Sequence, residues 1–94
     1  MYYVYILLST KDRQLYIGLT NDLKRRYKEH SEQKVPATRY RLPLQLIYYE
    51  AYIDFRDAKK REKFLKGGNG RGQLKIQIQN TLKQKRYKHL TKLP

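Results

Sequence analysis

The chain has 94 residues, enough for one small domain with one modest core. It contains no cysteine, which excludes disulfide bonds, thiolate metal sites and zinc fingers. Its 22 lysines and arginines against 8 acidic residues give a net charge of +14, which predicts binding to polyanions, chiefly nucleic acid.

No run of apolar residues approaches the length of a membrane span. Residues 1–8 are too few and too rich in tyrosine to form a signal peptide. We therefore expect a complete, soluble chain that does not enter a membrane. A cytoplasmic location, with association with the nucleoid, fits the absence of cysteine and the charge.

Two short strands are predicted at the start of the chain. Residues 2–8 (YYVYILL) form an apolar run of β-forming residues, and residues 15–18 (LYIG) form a second one. The polar connector over residues 9–13 predicts an antiparallel hairpin whose loop is longer than the tightest turns.

A basic helix is predicted over residues 22–32. Thr20 and Asn21 are both acceptable N-cap residues, and Asp22 suits the positive end of a helix. Helical spacing puts four side chains on one face: Leu23, Arg26, Tyr27 and His30. Arg26 and His30 therefore accompany packing residues rather than the solvated lysines.

A third strand is predicted over Leu44–Tyr52 (LQLIYYEAY), after a basic loop over residues 33–42. Together with the hairpin it gives a three-stranded, largely antiparallel sheet.

A second helix is predicted over Phe55–Lys66, with Asp54 as its cap and Gly67 as its stop. Its inward stripe is expected to contain Phe55, Ala58, Glu62 and Leu65. A carboxylate in an apolar stripe costs free energy unless something pairs with it. Glu62 is therefore the most unusual acidic residue in the chain.

The C-terminal third is harder to interpret. Residues 70–83 fit a helix with apolar residues at four-residue spacing, or a strand with alternating apolar residues. We favour a helix because glutamine, lysine and leucine dominate. The domain is predicted to span residues 1–83, followed by a basic tail over residues 84–94 that we expect to be loose.

The order of these pieces resembles the GIY-YIG endonuclease domain, and particularly the small stand-alone members of that family. The resemblance covers about residues 2–71. It rests on an ordered set of motifs: Tyr3-Val4-Tyr5, Leu15-Tyr16-Ile17-Gly18, residues 22–26 (DLKRR), His30, residues 58–66 (AKKREKFLK) and Gly68-Asn69-Gly70-Arg71. A single tripeptide would be weak evidence, whereas the ordered set is specific.

The resemblance implies an α+β fold, with a three-stranded, largely antiparallel sheet flanked by helices. It also implies metal-dependent hydrolysis of a DNA phosphodiester. By similarity, Tyr16 would activate or orient the attacking water, and Tyr5 would support it within one hydrogen-bond network. Arg26 would hold the scissile phosphate, and His30 would contact phosphate or assist proton transfer. Glu62 would hold a single divalent cation, Mg²⁺ or Mn²⁺, which prefer oxygen ligands.

The chain departs from the family pattern at two positions. Tyr3 stands where the first motif has glycine, and Leu19 follows Gly18 where some members carry lysine or another polar residue. Since Leu19 cannot share in proton transfer, any base must come from Tyr16, Tyr5 or His30. A free tyrosine has a pKa near 10, so Tyr16 could act as a base only beside a cation.

Basic residues outside these motifs are candidates for contact with nucleic acid: Arg25, Lys34, Arg39, Arg41 and Arg71. Arginines on both sides of Tyr40 could grip a backbone and stack a base, or form only a basic, mobile loop. A domain this small offers little surface for reading bases. We therefore expect a monomer that recognises DNA shape, such as branches, flaps, nicks or single-stranded junctions.

Two alternatives remain open on the sequence alone. The same fold could serve as a non-catalytic module that binds DNA or structured RNA, or as a small ribosome-associated protein. In either case the tyrosines would be ordinary core and half-buried strand residues, Arg26 would be solvated, and Glu62 would pair with a neighbouring lysine or arginine.

Overall fold

A computed structural model describes the backbone of residues 1–90 and the side chains of residues 1–85. Its elements in chain order are β1 (Tyr2–Ser9), β2 (Leu15–Thr20), α1 (Leu23–Ser31), β3 (Leu44–Tyr52), α2 (Phe55–Lys66), α3 (Gly68–Gln77) and α4 (Gln79–Leu90). None of the described helices is long and apolar enough to span a membrane. The chain divides into two compact units, residues 1–63 and residues 64–94.

The three strands form one antiparallel sheet in the order β2-β1-β3. This confirms the predicted α+β fold and its antiparallel sheet. Strand β1 is the central strand, and its residues from Val4 to Ser9 are all buried. The register pairs Tyr5 with Gly18 on one side and with Tyr49 on the other, so these three residues share one face of the sheet.

The face of the sheet that carries Tyr5 packs against α1. Its buried centre is Tyr5, Leu7 and Leu44, and the partly buried side chains around it are Tyr16, Leu23, Tyr27, Leu42 and Leu46. The opposite face carries Val4, Ile6 and Ile17, which are almost completely buried. Alternation along β1 thus supplies apolar side chains to both faces, as expected for a central strand that is covered on both sides.

Helix α1 begins after Asp22, whose side chain accepts a hydrogen bond from the backbone N–H of Arg25 at 3.1 Å. Asp22 is therefore the N-cap, while Thr20 ends β2. The face predicted from helical spacing is confirmed in burial. His30 is buried and Leu23, Arg26 and Tyr27 are partly buried.

The segment between α1 and β3 is held against the β1–β2 connection. The guanidinium of Arg41 donates to the Asp12 carboxylate at 2.6 Å, and the Ser9 hydroxyl donates to the Arg41 carbonyl at 2.5 Å. Lys11 donates to the Tyr40 carbonyl at 3.0 Å. Three side-chain bonds thus position a segment that the sequence presents only as a basic loop.

Helix α2 begins as predicted, with the Asp54 carboxylate accepting from the backbone N–H of Arg56 at 2.8 Å. Arg61 joins this helix to β3 through two bonds to Glu50, at 2.9 and 3.1 Å. The predicted inward stripe is correct for Ala58, Glu62 and Leu65, which are all buried. It is wrong for Phe55, which is 47% exposed because it lies at the helix start, edge-on to the Tyr2 ring at the sheet margin.

The second unit contains the end of α2, together with α3 and α4. The helical interpretation of residues 70–83 is confirmed, with Leu74 and Ile78 buried. Helix α4 continues through residues 84–90, which we expected to be loose, and residues 91–94 of the predicted tail lie outside the described residues. The proposed domain boundary at residue 83 stays a prediction.

Gly70 allows α3 to pass very close to the end of α2. A Cβ atom at residue 70 would lie 1.8 Å from the Phe64 carbonyl oxygen, whereas a Cβ at Gly72 would meet nothing within 4 Å. The two glycines lie on the same helix, so substituting each with alanine adds the same methyl group, at a crowded position in one case and an open position in the other.

We expect Gly70→Ala to lower the free energy of unfolding by about 1–3 kcal/mol, because the methyl group forces the backbone of α3 away from the backbone of α2 at Phe64. Gly72→Ala should raise it by up to about 1 kcal/mol, because alanine favours the helix. Urea unfolding of both variants measures the difference. Equal stabilities would contradict the close approach at residue 70.

Candidate active site

Gly18 creates the space in which the Tyr5 ring lies. The two residues are directly opposite in the β1–β2 ladder, and a Cβ at residue 18 would lie 2.3 Å from Cζ of Tyr5. The aromatic ring therefore crosses the bare backbone of β2 instead of pointing into solvent. This placement directs the hydroxyl of Tyr5 towards α1.

The Tyr5 hydroxyl meets a buried histidine on α1. Its oxygen lies 2.8 Å from Nε2 of His30, and Nδ1 of His30 lies 2.7 Å from Oγ1 of Thr38. His30 has 0% exposure and both ring nitrogens are engaged. If Tyr5 donates to Nε2, the imidazole carries its proton on Nδ1 and donates to Thr38.

Burial shifts the pKa values of Tyr5 and His30 in the directions that keep both side chains neutral. Desolvation raises the pKa of Tyr5 to about 12, although Arg26 opposes the shift. Desolvation, assisted by the charge of Arg26, lowers the pKa of His30 to about 4. At neutral pH the pair is therefore a protonated phenol bonded to a neutral imidazole.

Tyr16 completes an aromatic cluster with this pair. Its ring centroid lies 6.3 Å from that of Tyr5 and 5.2 Å from that of His30. Tyr16 is half-buried, and within residues 1–85 its hydroxyl makes no hydrogen bond. That hydroxyl is consequently available to a water molecule or a substrate.

Arg26 connects the aromatic cluster with a cleft at the end of β2. Its guanidinium donates to the Glu29 carboxylate at 3.0 Å. This bond, together with an interaction with Tyr5, raises the pKa of Arg26 above its ordinary value. The cleft has a volume of about 450 Å³ and is lined by Tyr2, Leu19, Thr20, Asn21, Arg25, Arg26, Phe55, Lys59 and Glu62.

Glu62 reaches the same cleft from α2. The residue is only 6% exposed, and its Oε1 accepts a hydrogen bond from Nζ of Lys59 at 3.1 Å. The Glu62 charge also acts on the Tyr5 phenol, where it opposes ionisation. The cleft therefore presents a carboxylate from α2 and a guanidinium from α1 beside the tyrosine cluster.

Glu62 can supply a carboxylate ligand to a divalent cation, but it cannot complete the coordination shell alone. Among the described side chains, no group of three or more acidic, histidine or cysteine residues could hold a metal ion. Mg²⁺ commonly binds one or two protein carboxylates and completes its shell with waters and substrate phosphate. A single carboxylate in an open cleft fits that mode, provided that the Lys59 ammonium moves away.

The structure brings four predicted site residues into one cluster, namely Tyr5, Tyr16, Arg26 and His30, and places Glu62 in the cleft that Arg26 lines. The His30 ring is fully buried and both of its nitrogens are bonded, so it does not face the cleft in this conformation. Its role in phosphate contact or in proton transfer stays a prediction.

The candidate nucleic-acid residues are dispersed. Arg25 is exposed and lines the cleft, Lys34 is exposed and pairs with Glu32, and Arg39 lies over the Tyr40 ring at 4.7 Å. The guanidinium of Arg41 is occupied by Asp12. Arg71 belongs to α3 in the second unit. Their contacts with nucleic acid stay predictions.

Sequence reasoning missed Thr38 and Lys59. Thr38 lies in an irregular segment, and no periodic pattern shows that its hydroxyl would meet a histidine eight residues earlier. Lys59 was identifiable, because residues three apart on a helix are neighbours and Lys59 precedes Glu62 by three.

Comparison with known proteins identifies the family of the chain. A family model described as the GIY-YIG catalytic domain matches residues 1–75, most of the chain. The chain belongs to the GIY-YIG family. The match includes both tyrosine-bearing strands, α1 and α2, so the family assignment covers every residue that lines the cleft.

Relatives in this family cover almost the whole chain. A UPF0213 protein of Clostridium perfringens is 36% identical over 88 residues, which is 93% of this chain and 94% of that protein. A UPF0213 protein of Streptococcus pyogenes serotype M5 is 38% identical over 85 residues, covering 89% and 91%. The GIY-YIG domain thus makes up nearly all of these small relatives as well.

A solved structure supports the fold. The solution NMR structure of a UPF0213 protein from Bacillus halodurans is similar to this chain with a TM-score of 0.50 and 36% identity. The similarity covers 79% of this chain and 82% of the other. The resemblance inferred from the ordered motifs, including the small stand-alone group, is therefore confirmed for this GIY-YIG protein.

The buried state of His30 predicts a pH dependence. Its folded pKa of about 4 lies below the ordinary 6.5, so the unfolded chain binds the extra proton between these values. The stability contribution is present above pH 6.5 and is lost as pH falls towards 4, by on the order of 3 kcal/mol. NMR titration of the imidazole tests it, with His89→Asn to assign the signals. A His30 ring that titrates near 6.5 would contradict the buried, neutral state.

Substitution of Gly18 should disturb the aromatic cluster. Gly18→Ala places a methyl group where the Tyr5 ring lies, so we expect the free energy of unfolding to fall by about 1–3 kcal/mol. We also expect the pKa of His30 to rise towards its ordinary value, because a displaced Tyr5 ring leaves the imidazole less buried. Urea unfolding and the same titration measure these effects, and Gly72→Ala controls for an added methyl group in open space.

Proposed function

We propose that this GIY-YIG protein is a divalent-metal-dependent endonuclease that hydrolyses DNA phosphodiester bonds. One observation supports the proposal above the others. Arg26 and Glu62, on different helices, line a single cleft, and the Tyr5–His30 pair lies beside Arg26. A guanidinium and a carboxylate in one cleft offer a phosphate clamp and a metal ligand.

Arg26 would bind the scissile phosphate. An arginine can donate two parallel hydrogen bonds to phosphate oxygens, and its charge stabilises the negative charge that develops in the transition state. The Glu29 carboxylate and Tyr5 both interact with the guanidinium and orient it. Arg26 is therefore held in place before the substrate arrives, which favours transition-state binding.

Tyr16 would orient the attacking water. Its ring lies near the Tyr5–His30 pair and its hydroxyl makes no hydrogen bond within residues 1–85, so that hydroxyl can accept a hydrogen bond from water or donate one to a phosphate oxygen. Tyr5 has a different role. Because burial raises its pKa to about 12, Tyr5 stays protonated at neutral pH and positions the cluster rather than acting as a base.

Glu62 would hold the divalent cation, Mg²⁺ or Mn²⁺. When bound, such an ion stabilises the charge on the phosphate and on the leaving oxygen. Glu62 is well suited to hold a cation because α2 fixes its position at the cleft and little of it is exposed. The Lys59 side chain is 62% exposed and can release the carboxylate by rotation of its flexible stem.

The surface chemistry favours recognition of DNA shape. A net charge of +14 supplies a sequence-independent attraction to phosphates, and the small domain leaves little area for reading bases. We propose branched, nicked, flap or single-stranded junctions as substrates and a monomer as the active species. We also propose a cytoplasmic location, where the same charge would favour association with the nucleoid.

A non-catalytic module that binds DNA or structured RNA is the second candidate. The observation that favours it is the Lys59–Glu62 ion pair, which occupies a carboxylate oxygen that a metal would need. In that case the cleft would bind phosphates through Arg25, Arg26 and Lys59 without cleaving them. Binding would be salt-sensitive under every metal condition, and no product would form.

Cleavage of labelled duplex, branched and single-stranded DNA, with Mg²⁺, Mn²⁺ or EDTA, tests the proposal. We expect metal-dependent products from the wild type. Glu62→Gln should abolish them and leave binding largely intact, because the amide keeps the shape of the side chain but loses the charge. Arg26→Lys should reduce the rate about 10²–10³-fold, because lysine keeps the charge but not the two-bond geometry.

Matched controls lie on the same helix as Glu62. Asp57→Asn removes an exposed carboxylate and Arg56→Ala removes an exposed guanidinium, and neither residue lines the cleft. Both variants should cleave at close to the wild-type rate. Cleavage by Glu62→Gln at the wild-type rate would refute the metal assignment. Binding without products under any metal would establish the second candidate.

A further inference from the structure

A second concavity lies beside the cleft, on the sheet face that packs against α1. It has a volume of about 530 Å³ and is lined by Tyr3, Asn21, Asp22, Leu23, Lys24, Tyr27, Leu46 and Tyr49. We call it the tyrosine pocket. None of its three tyrosines was assigned a role in the proposed hydrolysis, and its size falls in the range of small-ligand sites.

The walls of the tyrosine pocket are aromatic and partly rigid. Tyr3 and Tyr49 are neighbours across the β1–β3 ladder, with ring centroids 6.0 Å apart in an edge-to-face arrangement. The Tyr27 hydroxyl donates to the Leu44 carbonyl at 2.9 Å, which fixes its ring. Tyr49 is 52% exposed, so a large aromatic surface remains open to solvent.

The polar residues of the tyrosine pocket come from the start of α1. Asn21 and Lys24 supply an amide and an ammonium group, while the Asp22 carboxylate caps the helix. An apolar aromatic floor with a few hydrogen-bonding groups at one side is the composition of a site for a flat, heteroaromatic ligand. A nucleobase has this chemistry, because it combines a π-face with polar edges.

The tyrosine pocket and the catalytic cleft share a residue. Asn21 lines both, and the next residues of the cleft are Arg25 and Arg26 on the following turn of α1. A strand whose phosphate is bound at Arg26 can therefore bring a neighbouring nucleotide to the mouth of the pocket. A paired base cannot enter it, since the base is stacked within the duplex, but an unpaired base can.

We propose that the tyrosine pocket binds an unpaired nucleobase of the DNA strand whose phosphate lies in the cleft. The inference rests on the proposed function and names its substrate class: DNA with an unpaired nucleotide next to the cleavage site. The net charge of +14 favours a nucleic acid over a second copy of this basic chain. Tyr49 contributes the stacking surface, and Lys24 contributes a contact with the adjacent phosphate.

A double-mutant cycle between protein and DNA tests the proposal. The substrates are otherwise identical duplexes that carry one unpaired adenine or one abasic residue at the same position, with a fully paired duplex as reference. The proteins are the wild type, Tyr49→Ala and Tyr49→Phe. Affinities are measured in EDTA, so that no cleavage occurs, and thermal unfolding verifies that the half-exposed position tolerates the changes.

We expect Tyr49→Ala to weaken binding to the unpaired adenine by about five- to hundred-fold, because one base–aromatic stack is lost. The same substitution should leave binding to the abasic and fully paired duplexes unchanged. Tyr49→Phe keeps the ring and should restore the preference for adenine. Equal losses on all three DNAs, or no loss on any, would overturn the proposal, and so would a preference for protein or RNA ligands at this pocket.

The cycle separates this inference from the nuclease proposal. Because it measures binding without metal, a protein that never cleaves DNA can still show coupling between Tyr49 and the unpaired base. Conversely, metal-dependent cleavage without such coupling would remove the tyrosine pocket from substrate recognition and leave the assignment of the catalytic residues intact.

Discussion

The packing of the Tyr5 ring against the backbone of Gly18 is the constraint on which the candidate site depends. It turns the phenol towards α1, where the hydroxyl meets a histidine that is buried and neutral. A buried polar pair must satisfy its hydrogen bonds internally, and Thr38 supplies the remaining partner. The arrangement therefore ties two strands, a helix and a loop segment together, and Arg26 lies at its open end.

The electrostatics of this centre separate positioning from reaction. Tyr5 and His30 are held in their neutral forms by burial, whereas the neighbouring cleft is lined by charged groups, among them Arg26, Lys59 and Glu62. A rigid, neutral interior beside a charged cleft is a suitable design for phosphate chemistry, because the cleft groups need not reorganise when substrate binds. The tyrosine pocket adds an aromatic surface next to this charged cleft.

Much of the fold followed from the sequence because its patterns were local. The boundaries of β3 and α2 were predicted in full, since alternation, the Asp54 cap and the glycine stop act over neighbouring residues. Arg26 and Glu62 were identifiable by their helical faces and by family resemblance. Thr38 and the fixed Arg41 were not, because their partners are distant in sequence and lie in irregular structure. Phe55 was misassigned because a helix stripe does not show where the sheet beneath it ends.

The salt bridge between Arg61 and Glu50 also determines which way Glu62 points. Successive residues project about 100° apart around a helix. The direction of the Arg61 side chain therefore fixes the direction in which Glu62 projects from α2. The Glu50 carboxylate is anchored by the hydroxyls of Tyr48 and Tyr52 at 2.7 and 2.6 Å, and it holds Arg61 through two bonds. Helix α2 consequently cannot roll about its axis without breaking that pair. The Arg61–Glu50 ion pair, on the sheet face opposite Tyr5, thus fixes the rotation of α2 and with it the direction of the Glu62 carboxylate in the cleft.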